Sequence, residues 1–421
     1  MPRPRSHATQ GAIPKVFVAA AAVAAVLYFG FTPPAQAQTL TVLHQFSNGL
    51  DGGYPMTGLT PDAAGNFYGT TEEGGAQGYG TVFKLSRHNG SWVLTVLYGF
   101  QGFLDGGAPL GRVVFGPGGA LYGTASVRGH CDACGLVFEL RPPATPCGSL
   151  TCPWVKTTLH MFMRDGVDGY GPTGDLIFDR AGNIYGTTTS GGANNSGAVY
   201  ELTPMNGSWT ETILHSFSGA DGARPTTGVI FDSSGNLYGT TPIGGSSGDG
   251  VIFELSPSGS GWTETVLHSF TDMSPDGSHP YAGLTPDGVG GFYGTAFAGG
   301  TGLCFGTPGI GCGTVFQGQG STLYSFSEPG LTPPGGPMSP VTLDPQGNLY
   351  GTTSQDGANL DGNVFMLTAG QYNYASLYDF TDGNDGRTPV GNIVRDANGN
   401  LFGTTSSGGA HNAGVVWELT P

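Results

Sequence analysis

The stretch TVLHQF, Thr41–Phe46, stands at the front of the strand-forming part of the chain. Its nearest relatives, TILHSF (Thr212–Phe217) and TVLHSF (Thr265–Phe270), instead close repeats that began well before them. No earlier part of a repeat precedes Thr41. A closing piece placed first makes sense if the last unit lacks one. The seventh unit's third strand is VVWEL, Val415–Leu419, and only Thr420 and Pro421 follow it.

The units are defined by the phrase GNLYGTT, whose aromatic falls at Tyr68, Tyr122, Tyr185, Tyr238, Tyr293, Tyr350 and Phe402. Thirteen residues before each stands a proline: Pro55, Pro109, Pro172, Pro225, Pro280, Pro337 and Pro389. Each unit divides into four strand candidates. In the fourth unit these are GVIF (Gly228–Phe231), LYGTT (Leu237–Thr241), VIFEL (Val251–Leu255) and TETVLHSF (Thr263–Phe270), with tryptophan often in the turn before the last. All are short, β-branched or aromatic, and bounded by Gly, Asn, Asp or Ser. With 77 Gly, 30 Pro and 10% charged residues in 421, the chain suits many short strands and almost no helix.

Seven four-stranded antiparallel units around an axis make a β-propeller. The rival, an open solenoid, has no use for a permuted closing strand. The reading is therefore an all-β, seven-bladed propeller over residues 38–421, with Thr41–Phe46 completing the last blade so that no sheet edge is left unpaired.

Residues 1–37 read as an export signal. Arg3, Arg5 and Lys15 precede the apolar run Val16–Phe31, and Ala35-Gln36-Ala37 forms a small-x-small cleavage site. The rival is an uncut anchor, but the run is shorter than the ~20 residues a spanning helix needs. No later segment is apolar enough to span. Without the signal, eleven basic residues face thirty acidic ones, a formal charge of −19 that argues against nucleic acid. A secreted, periplasmic or extracellular monomer is expected.

The six cysteines fall in close pairs, Cys131 with Cys134, Cys147 with Cys152, and Cys304 with Cys312, which in an exported chain reads as disulfides. Zinc is the rival for the first four, although the second pair lacks two-residue spacing.

The GNLYGTT, GG and GTVFEL-type phrases resemble the GloVer tandem repeat, the Gloeobacter and Verrucomicrobia repeat of exported bacterial proteins, over nearly all of residues 39–421. The resemblance implies export and very little about function. Many members carry a C-terminal surface-anchoring segment. This sequence ends at Pro421 without one, so anchoring is not among the expectations.

Repetition argues against catalysis at most of the conspicuous residues. His44, His160, His215 and His268 share one position with Tyr98, Tyr324 and Tyr378. They sit on different outer strands, so they cannot converge on one ion, and a packing or hydrogen-bonding role is expected. Asp62, Asp179, Asp232, Asp287, Asp344 and Asp396 open the turn after the first strand, where a carboxylate caps backbone amides. A second set, Asp51, Asp105, Asp168, Asp221, Asp276 and Asp385, begins a D-G-x-x-P loop. These are expected to cap turns, the alternative being a ring of acids for Ca²⁺ or a cationic ligand. Trp92, Trp154, Trp209 and Trp262 are expected to cover blade ends, with sugar stacking as the alternative. There is no G-x-S-x-G elbow between a strand and a helix, no H-E-x-x-H and no phosphate-binding P-loop.

Two functions stay open. One is a non-catalytic binding or scaffold protein for a glycan, protein or surface. The other is a propeller lyase or hydrolase working at the axial channel mouth, which would need acid, base or metal ligands in one place. The symmetry favours binding, with no cofactor expected beyond a possible Ca²⁺. The D-G-x-x-P and GG loops should emerge on one face. There the position three residues after each proline reads Gly58, Arg112, Asp175, Gly228, Gly283, Pro340 and Asn392. Arg112, Asp175 and Asn392 break the pattern and are the candidate ligand-binding residues at the channel mouth, the rival being that each satisfies a local backbone group.

Overall fold

The computed structural model describes residues 38–126, 133–143, 154–259, 261–302, 304, 311–327 and 335–421. Seven four-stranded antiparallel sheets follow one another in chain order, and the only helical turns among these residues are two 3-10 turns, Phe103–Asp105 and Pro117–Gly119. The seventh sheet is assembled from both ends of the described chain. Thr39–Gln45 pairs antiparallel with Val415–Thr420, setting Thr41 opposite Glu418 and Val42 opposite Trp417. The fold is a seven-bladed β-propeller.

The strands differ from their expected bounds in an instructive way. In the fourth blade the innermost strand shrinks at its leading end to Ile230–Phe231, because the ladder with Leu237–Thr241 takes in only these two residues, and the Asp232 turn follows at once. The outer hairpin instead grows, to Val251–Ser258 and Gly261–Ser269. Trp262 thus lies inside the fourth strand, opposite Pro257, and not in the turn. In the first and third blades this hairpin turns on Asn89-Gly90 and Asn206-Gly207, all with positive φ, the geometry that matches strand twist.

Every outer strand carries a bulge at the leucine of L-H or L-Y. In the fourth blade Ile252 faces His268 and Phe253 faces Val266, which leaves Leu267 as the extra residue. The bulge explains why apolar residues do not simply alternate there.

One contact recurs inside every blade and two more at every seam between blades. The glycine of Y-G-T lies under an aromatic of the third strand; a Cβ on Gly239 would fall 2.5 Å from Phe253 Cζ. That aromatic meets, edge-on or tilted, the phenylalanine ending the previous blade's outer strand, from Phe46 on Phe83 to Phe380 on Trp417. Nearer the axis, the first threonine of G-T-T donates its hydroxyl to a carbonyl of the next blade: Thr187 to Thr227 at 2.7 Å, and Thr404 to Thr57 at 2.7 Å across the closure.

Cys304 and Cys312 are disulfide-bonded. Cys131, Cys147, Cys152 and the side chain of Cys134 lie outside the described residues, as does the expected signal segment. Among the described residues, no helix is long and apolar enough to cross a membrane.

Candidate functional site

The D-G-x-x-P and GG loops share a face and are tied to each other. Gly53 and Glu73 exchange backbone hydrogen bonds of 3.0 and 3.1 Å, and Gly169–Tyr170 pairs with Ser190–Gly191 as a short ribbon. Anchoring extends to the residue before the proline. Tyr54, Ala108, Arg224, His279 and Thr388 all hold positive φ and donate their amides to the preceding blade, as Thr388 N does to Asp361 O at 2.8 Å. The face is therefore braced loop by loop.

At its centre opens an axial cavity of about 340 Å³ with walls from all seven blades. The residue after each proline, from Met56 and Leu110 to Tyr281 and Val390, makes a mainly apolar rim. Arg112, Asp175 and Asn392 all line this cavity. Arg112 and Asp175 are joined: Nε donates to Oδ2 at 2.7 Å and the Arg112 amide donates to Oδ1 at 2.7 Å, with both side chains about a third exposed. Asn392 stands apart, its Oδ1 buried without a hydrogen-bond partner. The glycines at the same position make room for these groups. A Cβ on Gly58 would sit 1.8 Å from Asn392 Oδ1, and one on Gly228 would sit 2.2 Å from the Asp175 carbonyl. A mainly apolar lining with a few directed polar groups is the usual make-up of a ligand pocket.

The second set of carboxylates lies elsewhere, in the outer seams. Each caps the turn after an outer strand, and five of the six bond that strand's His or Tyr. Asp51 meets His44 Nε2 at 3.1 Å, Asp221 meets His215 at 3.1 Å, and Asp276 meets His268 at 3.0 Å. Asp105 accepts from Tyr98 at 2.6 Å and Asp385 from Tyr378 at 3.0 Å. His and Tyr thus alternate at one position because either can reach the same aspartate. Burial holds the His44 and His215 imidazoles below the usual histidine value, against the pull of their aspartates. Asp168 differs: it takes the Met163 amide at 2.8 Å, but its Oδ2 is 3.6 Å from His160 Nε2.

In three seams a third, charged residue joins the pair, and it was not legible in the sequence. It stands four positions before the next blade's own His or Tyr. Between the first two blades it is Lys156, whose ammonium is 2.8 Å from Asp105. In the next two seams it is Glu211 and Glu264, each within 4.8 Å of the adjoining His–Asp pair. Burial, then the facing Asp168 carboxyl, pushes Glu211 well above the usual carboxylate range; burial, then Asp221, pushes Glu264 up to about 7. The T-E-T phrase appears in both blades, but its partners lie one blade earlier, so only the ring's register reveals them.

The tryptophans also lie in seams. Trp92 packs on Phe67 and Phe402, Trp154 on Tyr68 and Trp262 on Tyr185. The letters of a G-x-S-x-G string do occur, at Gly244–Gly248, but in a loop joining Leu237–Thr241 to Val251–Ser258 and not before a helix.

The repeated phrases, now placed on blades, match the family model described as the Gloeobacter/Verrucomicrobia repeat at residues 7–152, 151–307 and 265–421. The chain belongs to this repeat family. No curated protein matches it in sequence. Among solved structures, this member of the repeat family is similar in fold to the extracellular domain of a protein classed as a hybrid two-component system from B. thetaiotaomicron. That match has a TM-score of 0.55 at 10% identity, covering 90% of this chain and 39% of that one. The chain thus spans well under half of that extracellular domain's length. A gluconolactonase from Xanthomonas campestris matches with a TM-score of 0.40 at 12% identity, over 91% of this chain and 89% of the other.

Proposed function

We propose that this chain is an exported, non-catalytic binding protein that receives part of an extracellular glycan, protein or surface ligand in its axial cavity. The observation that carries the reading is the break in symmetry inside that cavity. Gly or Pro occupies the equivalent position in four blades, whereas Arg112, Asp175 and Asn392 present polar groups, and Asn392 Oδ1 is left without a partner. A buried acceptor without a donor costs about 1–3 kcal/mol, which a ligand N–H or O–H would recover. A lyase or hydrolase at this mouth would need a free acid or base, and both Asp175 oxygens already accept from Arg112.

Export is supported by the Cys304–Cys312 disulfide, which belongs to an oxidising compartment, and by the signal-like residues 1–37. Mass measurement of the exported chain should find cleavage after Ala37; an intact N-terminus would make the segment an anchor.

The test of binding is a glycan array probed with wild type and Asn392→Ala, with and without Ca²⁺. Expected is a glycan hit that Asn392→Ala weakens roughly tenfold while the melting temperature barely moves. Binding unaffected by Asn392→Ala and by Arg112→Met would sink the axial site.

A further inference from the structure

We propose that His160, Asp168 and Glu211 form a site for a divalent transition-metal cation of the zinc class, in the outer seam between the second and third blades. His160 comes from the outer strand Val155–Met163, Asp168 from the loop leading into the third blade, and Glu211 from the outer strand Ser208–Ser216. Three elements of two blades therefore bring one nitrogen and two carboxylates together, with donor atoms within 4.8 Å of one another.

The imidazole satisfies neither carboxylate. His160 Nε2 is 3.6 Å from Asp168 Oδ2 and 3.6 Å from Glu211 Oε2, beyond hydrogen-bond length. His160 Nε2, Asp168 Oδ1 and Glu211 Oε1 are all buried without partners, and the Asp168 side chain is only 10% exposed. Among the described residues, His160 is the only basic group paired with either carboxylate. Two carboxylates left together in a seam are costly unless something positive joins them.

The neighbouring seam shows what that something is. There Lys156, at the position of Glu211, places its ammonium 2.8 Å from Asp105. Replacing Lys by Glu at this point reverses the charge and removes the built-in cation. A divalent ion between His160, Asp168 and Glu211 restores the balance, since the two carboxylates then match its charge. The spacing suits it: four-coordinate zinc, with bonds of ~2.0–2.1 Å, sets its ligands roughly 3.3–3.4 Å apart. The imidazole selects transition metals over Ca²⁺, which takes oxygen ligands. Glu264 repeats the arrangement with His215 and Asp221, but there the imidazole is already hydrogen-bonded at 3.1 Å, so that copy is expected to bind more weakly.

The test uses the full chain stripped with chelator and titrated calorimetrically with ZnCl₂, CoCl₂ or CaCl₂. Expected are one tight Zn²⁺ per chain and a Co²⁺ absorption spectrum typical of nitrogen and oxygen ligands. Glu211→Gln should weaken the tight Zn²⁺ by at least ~100-fold, more than loss of an outer partner costs. Glu264→Gln should leave it in place. His160→Tyr guards against misfolding, because tyrosine is the natural residue here in three other blades and keeps the aromatic packing. It too should lose the tight Zn²⁺ while retaining its circular dichroism spectrum. No Zn²⁺ uptake by the stripped chain, uptake unchanged in both Glu211→Gln and His160→Tyr, or a preference for Ca²⁺ would each overturn the proposal.

Discussion

The glycine of each Tyr-Gly-Thr phrase is set by contact, not by backbone freedom. In all seven blades a Cβ there would fall within 2.7 Å of the third strand's aromatic, as at Gly239 beneath Phe253 and Gly403 beneath Trp417. Gly239→Ala is therefore expected to destabilise the fold by about 1–3 kcal/mol, since overpacking a tight core forces rings off their rotamers; urea denaturation measures it. A second single-residue effect is electrostatic. Burial raises the Asp62 carboxyl, but bonds from the Asn66 side chain and amide, the Tyr68 hydroxyl and the Ala64 amide outweigh it, leaving its pKa below the usual value. A depressed folded pKa means that this contribution is present above the unfolded value near 3.9 and is lost as pH falls through the folded one. The melting temperature of wild type should thus exceed that of Asp62→Asn at pH 6, with the gap closing between pH 4 and pH 2. A gap that held constant over that range would show that the charge contributes nothing.

At the scale of strands and seams, what joins blades is a repeated threonine hydroxyl near the axis and a repeated aromatic pair further out. Thr187 donates to the carbonyl of Thr227 and Thr240 to that of Ala282, at 2.7 and 2.9 Å. Thr187→Val keeps the shape and leaves one buried carbonyl without its donor, so a loss of about 1–2 kcal/mol is expected in chemical denaturation. No change would mean that the hydroxyl only fills space. These elements also divide what the sequence discloses from what it hides. Leu237–Thr241 is legible because a fully buried strand needs β-branched and aromatic residues on both faces, bounded by turn formers. The two-residue innermost strands, the leucine bulges and Trp262 inside its strand are not, because turn chemistry and cross-strand register decide them. Arg112, Asp175 and Asn392 could be placed together because each lies at a fixed distance from a proline. The His160–Asp168–Glu211 cluster could not, because Glu211 joins it across a seam from 51 residues beyond His160.

For the whole molecule, one seam differs from the rest in covalent terms. Six blades join their third and fourth strands directly along the chain, whereas the seventh relies on Thr39–Gln45 returning to Val415–Thr420. Phe46, directly after that strand, is fully buried on Phe83 of the first blade, so the segment completes one blade and forms the seam with the next. Thr404 and Thr57 hold the same seam near the axis. Removing residues 38–47 would expose the edge of Val415–Thr420 and uncover the aromatic layer at Phe83. Loss of the Phe46 side chain alone is worth about 3–5 kcal/mol, so the deletion should lower the melting temperature sharply and promote association through the bared edge. An unchanged melting temperature would mean that the N-terminal strand does not close the ring. The decisive companion is a permutation: adding Thr39–Phe46 after Pro421 of the deleted chain, through an Asn-Gly turn like those at Asn89 and Asn206, gives the seventh blade the hairpin its six siblings have. It should restore the lost stability, because a local hairpin replaces a closure that otherwise spans the whole chain.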